Sequence, residues 1–536
     1  MTDFWGRNRH CYRRIVGSNM RNLAVTFSLI LFLAACSSGG NPSQSNTPGQ
    51  GSAVTSEAVL QTNVQVNVEP ALTPNFQPSI HDYVVNCNSS PSVQFTAQIS
   101  PGMETMVNGV PVGALGLSAQ ATIPLVAGQR FTFGFRQLPI AHPRYDPPSE
   151  YSVRCLPTGF PPISTLVAGV SQAQWYVFSP GINDYPPPFY VIVADTNGTP
   201  VWWMAQAGGA TPFDAKIIGQ NMIVWTYGDG DFVFRSFSGE VLNVLGPDLD
   251  LHDLQPTPAG TYLVIRDVPR VCPPDCADMS PWGGSAQAAV IDAEILEMDS
   301  HSNVIWTWRT RDHIDLSETG TQPWFPGVGN DIIHMNAVEP DGDDALLFSA
   351  RHLDAVYHIN KRLGTIDWKL GGSARGESLT VIGDTRPTAI GASGQVLSGQ
   401  HDVRLLADRT VTVHDNGTDA HRPPFAMRYV IDEVARTSEV VEAIQDPRAT
   451  FSLCCGSARR LPGGNWLMQW GENPYLTELD PSGNPVVTIS YNLGATFSYR
   501  AVPVLPGVVN AAQLRQGMDA MAPAIPSEVP SASKSN

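Results

Sequence analysis

The sequence predicts an all-β protein in which a small β-sandwich precedes a six-bladed β-propeller. Three stretches of similar pattern carry this prediction, and each begins with a histidine: His252, His334 and His401. Each stretch continues with alternating apolar residues, a turn containing glycine or aspartate, and a second apolar strand. Repeats of about 40 residues built from short strands are typical of propeller blades. The 47 glycines and 45 prolines fit the frequent turns of such a fold.

Residues 1–36 are expected to be an export signal rather than part of the folded protein. Met20, which we take as the true start, opens a basic and then apolar run that ends in LAAC at Cys36. This ending resembles the lipobox of bacterial lipoproteins, in which the cysteine becomes the lipidated N-terminus. A plain cleaved signal is the alternative. Ser37 resembles the outer-membrane sorting pattern, so we expect a lipid-anchored outer-membrane protein, periplasmic or surface-facing, with residues 37–61 as a flexible tether.

Six cysteines follow residue 36, and their even number in an exported chain favours disulfides over metal thiolates. The simplest pairs are Cys87 with Cys155 and Cys272 with Cys276. The adjacent residues Cys454 and Cys455 either close an eight-membered ring or pair elsewhere, and the sequence leaves both arrangements open.

The formal net charge of −17 argues against nucleic-acid binding, which needs a broad basic surface. It does not exclude a small cationic pocket for an anionic substrate, because the local field decides such binding.

Residues 62–158 are predicted to form the sandwich. Apolar and polar residues alternate in VQVNV, VQFTAQI, RFTFGF and YSVRC, with turns such as Asn108-Gly109 between them. The frame from LTPNFQPSIHDYVV to SEYSVRC resembles the cadherin-like domain found beside many bacterial enzymes. A carbohydrate-binding module would need an exposed row of aromatic residues, which does not stand out here.

Residues 162–508 are predicted to form the propeller. Six stretches end in a marked strand: PVWWMAQ, EVLNVLG, NVIWTWRT, GTIDWKLGG, EVVEAIQ and PVVTISY. We expect the last strand, FSYRAVPVL, to complete the first blade, and residues 509–536 to form a disordered tail.

Equivalent positions of successive blades surround one channel, so the three histidines are expected to meet. If each histidine starts an inner strand, the end of the adjacent antiparallel strand returns to the same rim. That rim should therefore receive Arg351, Arg266 and His414, while Asn336 shares a strand face with His334.

Imidazoles, a guanidinium and an amide suit an oxyanion substrate. Arginine offers a rigid fork of donors, and a neutral imidazole can attack as a nucleophile. The sequence shows no P-loop, no Gly-x-Ser-x-Gly motif and no aspartate trio for magnesium. Sulfuryl or phosphoryl transfer through a histidine intermediate fits this inventory, and we expect neither a metal ion nor another cofactor.

The segments His252-Asp253, His334-Met335-Asn336, Ser349-Ala350-Arg351 and Gln400-His401-Asp402-Val403 resemble the repeated motifs of the bacterial arylsulfotransferase family. The resemblance implies a six-bladed propeller that moves a sulfuryl group between phenols without an adenylyl sulfate carrier. It implies that His401 is the nucleophile of a ping-pong reaction and that His334 is the acid and base on the phenol oxygen. His252, Asn336 and Arg351 would hold the sulfuryl oxygens.

Further expectations complete the site. Asp402 or a backbone carbonyl would orient His401, and Ser457 would donate to the oxyanion in the last blade, where the histidine is missing. Trp324, Phe325 or Tyr499 would hold the phenol ring. The alternatives are a metal site built from the histidines and a non-catalytic surface propeller. The tryptophans at strand ends are expected to fill space between blades rather than to dock a quinone.

Overall fold

The computed structural model describes residues 64–522, apart from 88–90, 114–117, 139–148, 183–185, 229, 321–323, 326–328, 387–395, 493 and 495. The expected signal segment 1–36, its Cys36 and the tether 37–61 lie outside the described residues. The described part consists mainly of β-strands with one α-helix, so the all-β prediction is confirmed. It contains no helix that is both long enough and apolar enough to cross a membrane.

The first eight strands form two sheets with one shared apolar core. The strands are β1 Val64–Glu69, β2 Asp82–Asn86, β3 Ser92–Ile99, β4 Met103–Val107, β5 Val110–Val112, β6 Ser118–Pro124, β7 Arg130–Gln137 and β8 Ser149–Leu156. One sheet has the order β1-β3-β6 and the other β2-β8-β7-β4-β5. Alternate residues of β3 are buried, and its Phe95 packs in the core with Phe133 and Tyr151. The predicted Cys87–Cys155 disulfide is present and ties β2 to its parallel neighbour β8.

The remaining strands span residues 163–504. They are β9 Ile163–Val167, β10 Trp175–Ile182, β11 Tyr190–Ala194, β12 Pro200–Ala205, β13 Phe213–Ile218, β14 Met222–Thr226, β15 Gly230–Ser236, β16 Val241–Leu249, β17 Leu254–Pro256, β18 Tyr262–Pro269, β19 Val290–Met298, β20 Val304–Arg309, β21 Trp324–Phe325, β22 Gly329–Asp331, β23 Met335–Asp341, β24 Ala345–Ala350, β25 Ala355–Asn360, β26 Thr365–Gly371, β27 Thr380–Ile382, β28 His401–Leu405, β29 Val411–Asp415, β30 Phe425–Asp432, β31 Thr437–Ile444, β32 Ser457–Arg460, β33 Trp466–Gln469, β34 Tyr475–Leu479, β35 Pro485–Tyr491 and β36 Phe497–Val504. Short 3-10 helices lie at Ala207–Gly209, Ser280–Trp282, Thr310–Asp312, Leu316–Glu318 and Arg351–Leu353.

These strands build six sheets in the described residues, each with four strands in antiparallel sequence. Sheet 1 is β36-β10-β11-β12, sheet 2 β13 to β16, sheet 3 β17 to β20, sheet 4 β23 to β26, sheet 5 β28 to β31 and sheet 6 β32 to β35. The six marked strands predicted from the sequence are the fourth strands, β12, β16, β20, β26, β31 and β35. The last strand, β36, pairs with β10 and so belongs to sheet 1, and β9 in turn pairs with β35. The predicted Cys272–Cys276 disulfide closes a short loop after β18.

A buried ionic network joins the first strands of different sheets. Arg500 of β36 donates from Nη1 to Asp214 Oδ1 at 2.8 Å and to Asp253 Oδ1 at 3.0 Å. Asp253 also accepts from Lys216 Nζ at 3.1 Å and from Arg404 Nη1 at 2.9 Å. Buried charges are costly unless they are paired, so this network fixes how the first strands meet.

Residues 511–521 differ from the expected disordered tail. They form helix α1, Ala511–Met521, whose start is capped reciprocally by Asn510 and Gln513. Leu514 and Met518, one turn apart, pack into the core that includes sheet 1. The segment is short, and burial against strands far away in the chain stabilises the helix. Residues 523–536 lie outside the described part.

Candidate active site

The three repeat histidines meet in space, as their positions in the sequence predict. His252 lies two residues before β17, His334 directly precedes β23, and His401 is the first residue of β28. The ring centroids of His252 and His334 are 4.8 Å apart, and those of His252 and His401 are 6.1 Å apart. Sheets 3, 4 and 5 therefore each deliver one imidazole to the same place.

Two of these imidazoles are held by carboxylates. His252 Nδ1 lies 2.7 Å from Asp250 Oδ1, and His334 Nδ1 lies 2.6 Å from Asp331 Oδ2. A carboxylate accepts the bond, so each Nδ1 carries the hydrogen and each Nε2 the lone pair. His334 also has a left-handed backbone, with φ 49°, a conformation that costs about 1–3 kcal/mol in a residue other than glycine. Its backbone N–H donates to Asp331 Oδ1 at 2.9 Å, which stabilises this turn.

His401 has a different environment. It is 1% exposed, and its Nδ1 has no hydrogen-bond partner among the described residues. Burial, followed by the electrostatic influence of His252 and Arg500, holds the pKa of His401 well below its usual value. His401 is therefore a neutral imidazole at pH 7. The expectation that Asp402 orients it is wrong, because the Asp402 carboxylate accepts from Arg459 at 2.6 Å and from the Ala458 N–H at 3.0 Å.

A fourth histidine, His352, packs against His334. The rings of His334 and His352 lie 4.6 Å apart, and His352 Nδ1 donates to the Asp331 carbonyl at 2.6 Å. Burial lowers the pKa of His352 to about 3. Burial also lowers the pKa of His334, although Asp331 acts in the opposite direction. Both imidazoles are therefore neutral near pH 7 in the structure described here.

Arg351 and Asn336 lie against the histidines, as predicted. The backbone N–H of Arg351 donates to the His334 carbonyl at 2.9 Å, and its charge helps to lower the pKa of His334 and His401. Its Nη2 donates to the Leu453 carbonyl at 2.7 Å, while its Nε has no partner in the described residues. Asn336 is fully buried; its Nδ2 donates to the Gln400 carbonyl at 2.7 Å, and its Oδ1 lacks a partner in the same part of the chain.

Arg266 and Ser457 do not join this group. Arg266 pairs with Glu294, which lies directly opposite it on β19, and its side chain is 37% exposed. Ser457 Oγ donates to the Ala501 carbonyl and accepts from the Ala501 N–H, both at 3.0 Å, so it links β32 to β36. The side chains of both residues are therefore engaged elsewhere, and neither lies in the group of histidines.

His414 and Tyr499 lie next to the histidines of the site. His414 is the cross-strand partner of His401 and is fully buried, and burial lowers its pKa to about 4. The Tyr499 ring lies 5.9 Å from His252 and 6.0 Å from His401, and its hydroxyl donates to the His252 carbonyl at 3.2 Å. Of the three aromatic residues expected near the phenol, Tyr499 is thus at the site. The side chains of Trp324 and Phe325 lie outside the described residues.

The family model for arylsulfotransferases matches residues 225–492, which is half of the chain and includes all three histidines. The chain belongs to the arylsulfotransferase family. The repeated motifs that begin at His252, His334, Ser349 and Gln400 all lie inside the matched region. No curated protein matches the chain.

Several solved structures resemble this family member in part. A protein of unknown function from Bacteroides caccae is 13% identical, with a TM-score of 0.39, and covers 62% of this chain and 99% of its own. A catalytically inactive virginiamycin B lyase from Staphylococcus aureus with quinupristin is 9% identical, covering 62% and 90%, with a TM-score of 0.32. The Cps50 (Swd1) β-propeller domain from Myceliophteria thermophila is 9% identical, covering 61% and 89%, with a TM-score of 0.33. At these TM-scores, below 0.5, the likenesses assign no activity to the arylsulfotransferase family member described here.

Asp250, Asp331 and Arg500 are residues of the site that sequence reasoning missed. The two aspartates had a signal, since an acid precedes His252 by two residues and His334 by three. Before His401, the corresponding positions hold Ser398 and Gly399, which agrees with its different environment. Arg500 had no comparable signal, because its partners Asp214 and Asp253 are almost 250 residues or more away in the chain.

The contacts of Asp331, His334 and His352 bear on the alternative of a metal site. In the described part of the chain, Asp331, His334 and His352 form the group whose possible ligand atoms all lie within 4.8 Å. Asp331 already accepts from His334 Nδ1 through its carboxylate and from His352 Nδ1 through its carbonyl. An ion bound by the Asp331 carboxylate would compete with the bonds that His334 donates to it, so the arrangement favours a positioning role for Asp331.

Proposed function

We propose that this chain is an arylsulfotransferase that moves a sulfuryl group from an aryl sulfate donor to a phenol acceptor without an adenylyl sulfate carrier. One observation carries the proposal: a buried, neutral His401 lies beside two carboxylate-held imidazoles and Arg351. A neutral imidazole is a nucleophile, and cationic donors stabilise the charge on a sulfuryl group. The family match supports this activity in general.

The proposed architecture is a six-bladed propeller, with sheets 1 to 6 as its blades. Residues 162–508 would form this catalytic domain, and residues 62–158 a cadherin-like sandwich before it. The order of four sequential strands in each sheet and the pairing of β36 with β10 support the assignment. The histidines would then lie at one mouth of the central channel, where loops from several blades build a binding site.

In the first half-reaction, a nitrogen lone pair of His401 attacks the sulfur of the bound aryl sulfate. The N–S bond forms while the bond between sulfur and the phenolic oxygen breaks. The departing oxygen takes a proton from His334, for which the imidazole must be protonated in the donor complex. The sulfate ester is an anion, so its arrival raises the pKa of His334 from the low value that burial imposes.

In the second half-reaction, the acceptor phenol occupies the place of the first phenol. Neutral His334 takes the proton of the acceptor hydroxyl, and the phenolic oxygen attacks sulfur. The N–S bond breaks, which restores neutral His401 and protonated His334. The hydrogen bond from Nδ1 to Asp331 fixes the tautomer in which the other ring nitrogen exchanges the proton, and it stabilises the imidazolium.

Three residues are proposed to hold the sulfuryl oxygens. Arg351 Nε has no partner among the described residues, and His252 is fixed by Asp250. Asn336 of β23 bonds to the carbonyl of Gln400, which directly precedes His401. Preorganised donors of this kind act strongly in a site from which water is excluded. Tyr499 would form an apolar wall for the phenol ring.

We further propose attachment to the outer membrane through a lipid on Cys36, which becomes the N-terminus after cleavage of the residues before it. The basis is the sequence motif that ends in LAAC and the Ser37 that follows it. This anchor would tether the catalytic region at the periplasmic or the outer surface through residues 37–61.

Steady-state transfer from 4-nitrophenyl sulfate to phenol tests the proposal. We expect parallel double-reciprocal lines, as donor and acceptor use the site in turn. His401→Ala should abolish transfer, and His252→Ala should leave a measurable residue of it. His301→Ala is the matched control, because His301 is an exposed residue in a turn after β19. Full transfer by the His401 variant, or intersecting lines, would refute the mechanism.

A further inference from the structure

Cys454 and Cys455 lie next to the candidate active site, directly before β32. Both are free thiols and half-buried. They pack against an apolar cluster that contains Phe213, Leu251 and Tyr499. Neither residue has a role in the proposed transfer reaction, so their position needs its own explanation.

The short segment 453–456 holds two residues of the site by its backbone. The Leu453 carbonyl accepts from Arg351 Nη2 at 2.7 Å, and the Gly456 N–H donates to the Tyr499 carbonyl at 3.0 Å. Between them, the Cys455 carbonyl accepts from Asn416 Nδ2 at 3.1 Å. The same Nδ2 donates at 2.8 Å to the carbonyl of Gly399, two residues before His401. A change in this backbone is therefore transmitted to Arg351 and His401.

A disulfide between adjacent residues cannot form without such a change. Disulfide-bonded residues usually have Cα atoms roughly 4.4–6.8 Å apart. Adjacent Cα atoms across a trans peptide are only about 3.8 Å apart. Closing the eight-membered ring therefore distorts the backbone of Cys454 and Cys455, where Cys455 already has a left-handed conformation with φ 66°. Strained disulfides are easily reduced, and they are the ones that serve regulatory or catalytic roles.

We propose that Cys454 and Cys455 form a reversible redox site that controls the arrangement of Arg351. In the dithiol form, the Leu453 carbonyl holds Arg351 beside the histidines. In the disulfide form, the distorted segment releases this contact and sulfuryl transfer falls. The redox site stands on geometry alone, and only its effect on transfer rests on the proposed function.

The oxidant is a small-molecule disulfide. The Cys454 thiolate attacks one of its sulfurs, which breaks the S–S bond and releases the first thiol. Cys455 then loses its proton and attacks Cys454 Sγ, which releases the second thiol and leaves the ring disulfide. A hydrogen bond with Cys454, followed by burial, raises the pKa of the Cys455 thiol well above its usual value. Cys455 therefore forms less thiolate, and Cys454 makes the first attack.

The experiment treats the full chain with oxidised glutathione and then alkylates the remaining thiols. A tryptic peptide spanning 449–459 contains Cys454 and Cys455 and no other cysteine, so its mass reports the pair alone. We expect this peptide to lose two hydrogens and to escape alkylation, and dithiothreitol to reverse both changes. Amide hydrogen exchange should rise in the segment 351–353, and transfer should fall tenfold or more. Cys454→Ser and Cys455→Ser cannot close the ring; Cys455→Ser should stop at the mixed disulfide of Cys454 with glutathione, and exchange at 351–353 should stay unchanged in both variants.

Phenylarsine oxide gives a second measurement without any substitution. This reagent bridges two neighbouring thiols, and we expect it to bind the 449–459 segment of the reduced chain only. An oxidised chain that keeps alkylatable thiols in this segment would overturn the redox site. If the disulfide ring forms while amide hydrogen exchange at 351–353 stays the same, the link between the redox site and Arg351 is overturned. If neither form transfers sulfuryl groups, the proposed function fails, and the mass and exchange results still decide this inference.

Discussion

Asp331 binds His334 twice, through a carboxylate contact with Nδ1 at 2.6 Å and a bond from the backbone N–H at 2.9 Å. The same residue offers its carbonyl to His352. Burial alone would raise the pKa of Asp331, but the neighbouring imidazoles hold it below its usual value, so the carboxylate is ionised. One aspartate therefore fixes the tautomer, the ring position and the backbone turn of His334.

The first prediction follows from this bond. Asp331→Asn should lower kcat for transfer by about 10–100-fold with a smaller change in KM, because an amide no longer stabilises the His334 imidazolium. It should also shift the pH profile of the donor half-reaction toward lower pH. Asp331→Glu should restore part of the activity. An unchanged pH profile in the asparagine variant would show that Asp331 has only a structural role.

The second prediction concerns stability and acid. In the folded chain the pKa is about 3 for His352 and about 4 for His414, below about 6.5 for an unfolded histidine. The unfolded state therefore binds more protons between these values, so stability is complete above pH 6.5 and falls as pH decreases. Each such histidine should remove about 2 kcal/mol of unfolding free energy between pH 6.5 and 5.

Denaturant unfolding at pH 7 and pH 5 measures this effect, with His414→Gln as the comparison. On acidification the variant should lose less unfolding free energy than the parent chain, by up to about 2 kcal/mol, the amount expected for one histidine. Equal losses in the two proteins would contradict the assignment of a neutral, buried His414.

The third prediction compares two arginines that differ in burial. Arg500→Met should destabilise the chain by about 3–5 kcal/mol, because Asp214 and Asp253 lose a buried partner. Arg266→Ala should cost less than about 1 kcal/mol, because Glu294 keeps Arg309 as a partner near the surface. Denaturant midpoints report both effects. Similar midpoints for the two variants would contradict a larger contribution of the buried network to stability.

The fourth prediction separates Arg351 from Ser457. Arg351→Ala should reduce transfer by roughly 10²–10³-fold, the range for removing a donor to a developing oxyanion. Ser457→Ala should retain transfer and lose about 1 kcal/mol of stability, because its hydroxyl bonds to the backbone of Ala501 in β36. A Ser457 variant that folds normally but does not transfer would return this residue to the site.

The sequence predicts those parts of the site that repeat. His252, His334 and His401 stand at one repeat position, and a repeated fold brings such positions together. The Cys87–Cys155 and Cys272–Cys276 pairs were predictable because they were the simplest pairs in each region. Alternating strands such as VQFTAQI also follow from side-chain periodicity, since one face of β3 is buried.

Contacts between distant strands were not predictable in the same way. The rim position of Arg266 depended on its strand register, and the structure gives it Glu294 as its cross-strand partner. Asp402 or a backbone carbonyl was expected to orient His401, yet the Asp402 carboxylate pairs with Arg404 and Arg459. Helix α1 depends on a surface made by residues hundreds of positions earlier, which no local pattern reveals.

The most direct test of the central claim is intact mass spectrometry of the chain after brief mixing with 4-nitrophenyl sulfate and no acceptor. The account predicts a gain of one sulfuryl group, ~80 Da, that maps to His401 and is discharged when phenol is added. His401→Ala should show no such gain. An unmodified parent chain that releases no nitrophenol, or an adduct on another residue, would contradict catalysis through His401.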